Sequence, residues 1–440
     1  MPDHIERALR RLEAQLPGRV SLRGDDGYAA ATAIWAKPVG GMPRAVVHCL
    51  ATEDVQLPIR AARDCGLPLS VRGGGHHWAA RALCAGIVID LSGMNGVSVA
   101  ADQRSAIILG GAHAADVAAV TDPLHVAAVT GTCSAVGMAG LTMGGGYGPL
   151  IGRFGLALDN LLAAEVVLAD GRTVVASRNS EEELFWALRG GGGNFGVVTA
   201  MRYRLRDLGS VRTGLLVYPF AEARGVLRSC ADIAASSPED LTVQFGCIGG
   251  PDGKPVIIVH PTWCGPAAEG EAPVAPFLKL GTLLAGNLDA MSYGTSLTLY
   301  DPYIVNGQRV FMDTCWLPAL DSAAIEVFVE AMDTAASDPV RPLHPRVQRR
   351  RLARTGGGNS LWSPPRPRAG RDPRHLRRSV GQGRGATASP MGSNHSSSLR
   401  SDRASGWISE LSSRGRCGPC GGELWPQCQP ADRRQTALRS

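Results

Sequence analysis

The residues best placed for chemistry sit in three glycine-rich segments. The first is Ser70-Val71-Arg72-Gly73-Gly74-Gly75-His76-His77. A strand ending in Arg and three Gly leaves consecutive backbone N–H groups free to converge on an anion, and missing Cβ atoms let the backbone approach it closely. Read alone, the segment serves equally as a glycine turn with two surface histidines. The second runs from Gly131 to Gly148 (GTCSAVGMAGLTMGGGYG) and on through Arg153-Phe-Gly-Leu-Ala-Leu-Asp-Asn160. Six glycines fall in the twelve residues 137–148, a density that argues against a stable helix or strand. It suggests backbone packed on a flat ligand; the alternative is a flexible linker, against which the interspersed Val, Met, Leu and Tyr speak. Arg153 and Asp159 are placed to pair, and Asp159 or Asn160 to end the loop. The third is Gly190-Gly-Gly-Gly-Asn-Phe-Gly-Val-Val198, whose residues 191–196 satisfy G-x-G-x-x-G. A dinucleotide fold needs a strand before that motif and a helix after it. Here the order is reversed, which excludes a Rossmann site. Three separate loops can still wrap one extended cofactor.

The elements around these loops follow from periodicity. Residues 4–16 read as an amphipathic helix, Ala45–Cys49 as a strand, and Glu53–Cys65 as a helix capped by Thr52 and blemished by Pro58. Leu69–Arg72, Gly86–Leu91 and Ala106–Leu109 are strands, and Ala112–Ala119 is a helix. Leu161–Ala169 and Thr173–Ser177 flank an Asp170-Gly171-Arg172 turn. The helix Glu181–Leu188 precedes the third loop, and the strand Gly196–Leu205 follows it. A second unit begins near 210, with strands at Leu215–Pro219, Leu241–Ile248, Pro255–His260 and Val310–Cys315. Its helices, Ala221–Ala235 and Ala319–Ala336, cover one face of the sheet. Strands mixed with short helices indicate an α+β chain.

In this order and spacing the three loops resemble the FAD-binding module of the berberine bridge enzyme-like oxidases, in the vanillyl-alcohol oxidase (PCMH-type FAD-binding) superfamily. The matching stretches are PLSVRGGGHH, GTCSAVGMAGLTMGGGYGPLIGRFGLALDN and ELFWALRGGGGNFGVVTAMRYRL, within a resemblance covering about residues 25–335. It implies an N-terminal helical lead-in at 1–37, a PCMH-type two-part FAD-binding domain at 38–210 and a truncated substrate domain with antiparallel sheet at 211–340. It also implies that His76 bonds the flavin 8α-methyl. Cys133-Ser-Ala-Val-Gly137 fits the C-x-x-V-G of members with a second link to flavin C6, which suggests bicovalent attachment. Both an imidazole nitrogen and a thiolate are nucleophiles toward an electron-poor ring. Two tethers would raise the flavin's electron affinity and hold it in a site open to bulky substrates. Val71, Arg72, Gly73, Gly74, Gly75, Gly137, Gly140, Leu141, Gly144, Gly145, Gly196 and Val198 carry over as cofactor-binding positions. His77 carries over too, against the plainer reading of a partly buried structural histidine. The implied activity is hydride transfer from a C–H of a sugar or natural product to FAD, with O₂ regenerating the cofactor and giving H₂O₂. The catalytic base is not assigned.

Composition sets bounds. Residues 1–340 hold 25 Lys+Arg and 34 Asp+Glu, a net of −9, whereas 341–440 hold 20 Arg and 5 Asp+Glu, a net of +15. The last hundred residues have no Phe or Tyr and 12 residues from Val, Ile, Leu and Met, too little apolar surface to offset ordering entropy, so disorder is expected there. They also lack the family's closing segment with its Tyr-x-Asn strand; the last tyrosine is Tyr303. Loss of Lys, Phe and Tyr with a surge of Arg, Ser and Pro is what GC-rich DNA gives in a wrong frame. A shift near codons 338–348 should then recover a family-like ending. No apolar run reaches the roughly 18 residues of a membrane span, and the charged start MPDHIERALRRLEAQ is unlike a secretory signal. Eleven scattered cysteines read as reduced thiols of a cytoplasmic protein. Cys417-Gly-Pro-Cys420 lacks the βαβ context of a redox motif. The run Arg346–Arg354 lacks the aromatics of a nucleic-acid site. Trp35, Trp263 and Trp316 read as core. The partners expected are a small-molecule substrate and O₂, with no nucleic acid and no membrane. Two rivals stand beside the oxidase: a degenerate, non-catalytic homologue, and a binder of nucleic acid or acidic partners through the basic tail.

Overall fold

Valine and isoleucine dominate the strand Ile87–Asp90, whose Ile87, Val88 and Ile89 are all fully buried. Such a run suits a parallel strand covered on both faces. In the computed structural model it pairs in parallel with Ala45–His48 on one side and Leu69–Arg72 on the other, and Val20–Leu22 closes the sheet antiparallel to Ala45–His48. The structure describes residues 2–38, 41–250, 253–310, 312 and 316–336. The tail at 341–440, with its arginine run and C-x-x-C, lies outside them, as does most of the strand expected at 310–315. The described residues all fall in one compact unit.

The helix Pro2–Gln15 packs Leu9 and Leu12 against Val55, Ile59 and Ala62 of the helix Thr52–Cys65. The stretch 1–37 is therefore built into this first sheet layer rather than leading into it. Thr52 does not cap its helix. Ala51 holds the cap position, and the Asp54 carboxylate accepts the Leu50 and Ala51 N–H groups at 2.9 and 3.0 Å. The Thr52 hydroxyl, inside the first turn, instead donates to Glu165 at 2.7 Å. Thr199 donates to the same oxygen at 2.6 Å, so one carboxylate ties the first layer to the next.

That next layer is an antiparallel sheet in the order Val97–Val99, Ser105–Leu109, Val197–Arg204, Leu161–Val167, Thr173–Ser177. Gly171 turns the last pair at φ 88°, the left-handed region that a D-G turn needs. The third sheet is built on two long antiparallel strands, Leu241–Gly249 and Pro255–Trp263. Leu216–Pro219, Val211–Thr213 and Asp289–Met291 extend it. Period-two alternation sorts its faces. Val243, Phe245, Cys247, Ile257 and Val259 join a core with the helices Ala223–Ser236 and Ser322–Ala336. Thr242, Gln244, Ile258, His260 and Thr262 fall on the opposite face, which looks toward the glycine loops.

Candidate cofactor and substrate site

Strand Leu69–Arg72 delivers the first loop. Arg72 is not part of the cavity wall. Its guanidinium makes two bonds to Asp90, at 2.9 and 3.0 Å, and a third to the Ala31 carbonyl at 2.6 Å. Arg72 thus braces the end of the strand from behind. Asp90 is almost completely buried and also binds His48 at 2.7 Å. Burial alone would raise its carboxyl, but the His48 hydrogen bond and the Arg72 charge hold it down at about 2.

Beyond the brace, the first and second loops touch backbone to backbone. A Cβ on Gly74 would lie 2.4 Å from the Gly137 nitrogen, and one on Gly137 the same distance from that of Gly74. No side chain fits between them. The expectation that 137–148 excludes a helix is overturned: Met138–Met143 forms a short helix with Gly137 and Gly144 as its caps. The glycines are dense at its ends, while Met138, Ala139, Thr142 and Met143 inside it are buried. The third loop lies between the helix Glu182–Gly191 and the strand Val197–Arg204, the order that argues against a Rossmann motif. Gly196 takes φ 152° with the Val167 carbonyl where a Cβ would stand.

Arg153 and Asp159 do not pair. Arg153 reaches Asp240 at 3.2 Å and so ties its loop to the third sheet. Asp159 caps its own turn through the Leu156 N–H at 3.0 Å and faces Arg189 at 3.6 Å. Neighbours in sequence lost to partners that the fold brings closer.

One open cavity of about 3420 Å³ runs from these loops past the third sheet to the helices Ala223–Ser236 and Ser322–Ala336, so only part of it lies between the loops and the sheet's polar face. Its wall includes Val71, Gly73, Gly74, Gly75, His76, His77, Cys133, Gly137, Gly140, Leu141, Gly144, Gly196 and Val198. Gly145 is not in it. The His76 ring stacks on Trp35 with centroids 4.8 Å apart. Trp35 is buried, as a core residue would be, but it too lines the cavity, and its indole N–H meets no acceptor among the described residues. Trp263 is core, with its N–H on the Pro266 carbonyl. Trp316 is exposed on the cavity wall, not core. His77 accepts the Ala79 N–H at 3.1 Å, and burial, helped by Arg81, lowers its pKa.

The Cys133 loop is held by the third sheet and by the helix Tyr293–Leu297. Thr132 shares a hydrogen bond of 3.0 Å with Gln244, and the Ser134 N–H donates to the Leu297 carbonyl at 3.1 Å. After Tyr303 the chain returns to the His76 end, where the Gln308 N–H donates to the Trp35 carbonyl at 2.9 Å. Gln244, His260 and Tyr300 escaped sequence reasoning, although polar residues alternating with apolar ones in both long strands were a signal.

The wall fits a flat dinucleotide. At Gly140, Gly192 and Gly193 a Cβ would meet nothing within 4 Å, so bare backbone faces the cavity. Among the described residues no cluster of His, Cys, Asp and Glu is suited to a metal ion, and no helix is long and apolar enough to cross a membrane.

Comparison with known proteins agrees with this geometry. The FAD binding domain family matches residues 43–177. The (R)-6-hydroxynicotine oxidase of Paenarthrobacter nicotinovorans is 33% identical over 289 residues, covering 64% of this chain and 63% of that protein. The crystal structure of 6-hydroxy-D-nicotine oxidase from Arthrobacter nicotinovorans matches with a TM-score of 0.60 at 31% identity, over 65% of this chain and 64% of that one. Glucooligosaccharide oxidase from Acremonium strictum, described with a 6-S-cysteinyl, 8α-N1-histidyl FAD, matches in fold with a TM-score of 0.60 at 24% identity, over 74% and 70%. The chain spans about three fifths of the length of the curated relatives it matches. Residues 43–177 thus form an FAD binding domain, and the chain shares the fold of the berberine bridge enzyme-like oxidases.

Proposed function

We propose that the protein is an oxidase in which FAD, tethered at His76 and Cys133, takes hydride from a C–H of a sugar or natural-product substrate, with O₂ as final acceptor and H₂O₂ as product. The observation that carries this reading is convergence. Three glycine segments far apart in sequence line one cavity, His76 and Cys133 stand in its wall, and a separate sheet forms the facing side. When bound, FAD supplies the two-electron acceptor. The chain supplies the rest. Gly74 and Gly137 close the cradle, and Trp35 supports the His76 ring.

Mass spectrometry of the denatured protein tests the attachment. The expected result is an FAD adduct that loses one link in His76→Ala or Cys133→Ala and is absent from the double variant. No adduct, or an adduct that survives both changes, refutes it. Substrate class is tested with peroxide detection over a panel including (R)-6-hydroxynicotine and glucooligosaccharides, the chemistries of the two related oxidases. A flavin-loaded protein that yields no peroxide with any compound counts against the oxidase reading.

A further inference from the structure

The face of the third sheet turned to the cavity carries a buried polar chain whose direction can be worked out. Thr213 Oγ1 donates to the Pro261 carbonyl at 2.8 Å. A hydroxyl has one proton, so Thr213 can only accept from Thr262, 2.9 Å away. The Thr262 proton is thereby used, and Thr262 Oγ1 faces His260 Nε2 at 3.4 Å as an acceptor. On these contacts Nε2 carries the hydrogen. In a neutral imidazole that leaves Nδ1 as the acceptor, and the group 3.2 Å from Nδ1 is the Tyr300 hydroxyl. These contacts assign the Nε2–H tautomer to a fully buried histidine and turn its Nδ1 toward a tyrosine that lines the cavity.

Position supports a use for this arrangement. Gln244 is directly opposite His260 on the neighbouring strand, so the two share a face, and Gln244 holds Thr132 beside Cys133. Tyr300 lies three residues after Leu297, whose carbonyl takes the Ser134 N–H. The pair therefore sits where the substrate sheet meets the Cys133 loop.

We propose that Tyr300 is the catalytic proton acceptor of this site and His260 the residue that positions and relays for it. The proposal rests on the oxidase reading above. A hydroxyl- or amine-bearing carbon that is oxidised loses two hydrogens. One leaves with the electron pair to the FAD; the other leaves the heteroatom as a proton. That proton joins the Tyr300 oxygen as the phenolic proton crosses to His260 Nδ1. Tyr300 ends neutral, as it began, and His260 ends as an imidazolium with Nε2–H still held by Thr262. The same logic favours substrates with an ionisable O–H or N–H on the carbon that gives up hydride.

Two measurements decide it. In ¹⁵N-histidine NMR of the FAD-loaded full chain, His260 should be the Nε2–H tautomer, with its Nδ1 signal moving in Tyr300→Phe; an Nδ1–H tautomer overturns the relay. In anaerobic reduction by a panel substrate, Tyr300→Phe should slow flavin reduction by about 10²–10⁴-fold, the usual contribution of a general base, with FAD content unchanged. His260→Gln, which keeps a hydrogen-bonding side chain but cannot take a proton, should show a similar loss and an altered pH profile. A Tyr300→Phe rate close to the parent's, or a His260→Gln that restores the parent profile, overturns the proposal. If FAD is bound but no panel compound reduces it, the oxidase reading fails instead, and the tautomer still decides the pair.

Discussion

Gly137→Ala tests the contact on which the cofactor cradle depends. The added Cβ would lie 2.4 Å from the Gly74 nitrogen and 2.8 Å from its Cα. Unstrained heavy atoms sit about 3.5–4.0 Å apart, so the loops must separate by about 1 Å. Both obstacles are backbone atoms, and no rotamer change relieves them. Overpacking of this kind costs about 1–3 kcal/mol, and the movement pulls His76 away from the Cys133 loop. The control is Gly140→Ala three residues on. It lies inside the helix Met138–Met143 with nothing within 4 Å of the new Cβ. Alanine in a helix gains about 0.5–1 kcal/mol over glycine, so the cofactor-free chain should become more stable. The new methyl also enters the cavity wall, so FAD retention should fall. Urea unfolding of the cofactor-free chains, with flavin absorbance after gel filtration, separates the two effects. A Gly137→Ala protein within about 0.5 kcal/mol of the parent, or a Gly140→Ala protein that loses stability while keeping its flavin, would refute the reasoning.

Other outcomes follow from buried polar groups. The Asp90 carboxyl stands at about 2 in the fold against an ordinary 3.8. Its stabilisation, about 2 kcal/mol, is present above pH ~4 and lost as pH falls toward 2. Asp90→Asn should remove that pH dependence from urea midpoints measured across this window. Tyr203→Phe leaves the Val129 and Ala157 carbonyls, both 2.8 Å from the hydroxyl, without that donor; a loss of about 1–3 kcal/mol in chemical unfolding is expected. Glu165→Ala strips Thr52 and Thr199 of a shared acceptor and should cost about 1.5–3 kcal/mol for each charged hydrogen bond at most. Hydrogen exchange should rise at the N-terminal turn of the Thr52–Cys65 helix, and its absence there would show that the carboxylate does not tie the layers.

The contact between the first two glycine loops left a trace in the sequence, because close backbone approach requires glycine. Gly74 and Gly137 report on each other across more than sixty residues, and each is glycine for a steric reason the fold makes explicit. What failed was inference from local averages. Glycine density over 137–148 argued against a helix, yet the six residues between two glycine caps form one. Thr52 has the side chain of a cap, but a carboxylate on another strand outbid the helix end for its hydroxyl. Arg153 and Asp159 are close in sequence, whereas Asp240 becomes the nearer partner only once the third sheet is in place. Propensity and proximity are weak terms, and tertiary contacts outweigh them.

The third sheet left a fainter trace for a reason rooted in how it is built. Its side chains act through register. His260 and Gln244 meet because two nine-residue strands pair without slip, and a shift of one residue in either strand would turn that strand's polar residue into the apolar core. The strand was expected to end at His260, so Thr262 fell outside it, whereas the observed strand runs on to Trp263 and places both on one face. Tyr300 joins them from a separate turn, so no spacing links it to either. The tautomer of His260 depends on a still longer chain, ending at a carbonyl that sequence does not display. Holding a cofactor asks for the absence of side chains at fixed points, which glycine records. Moving a proton asks for particular side chains in one orientation, and only the assembled sheet determines that orientation.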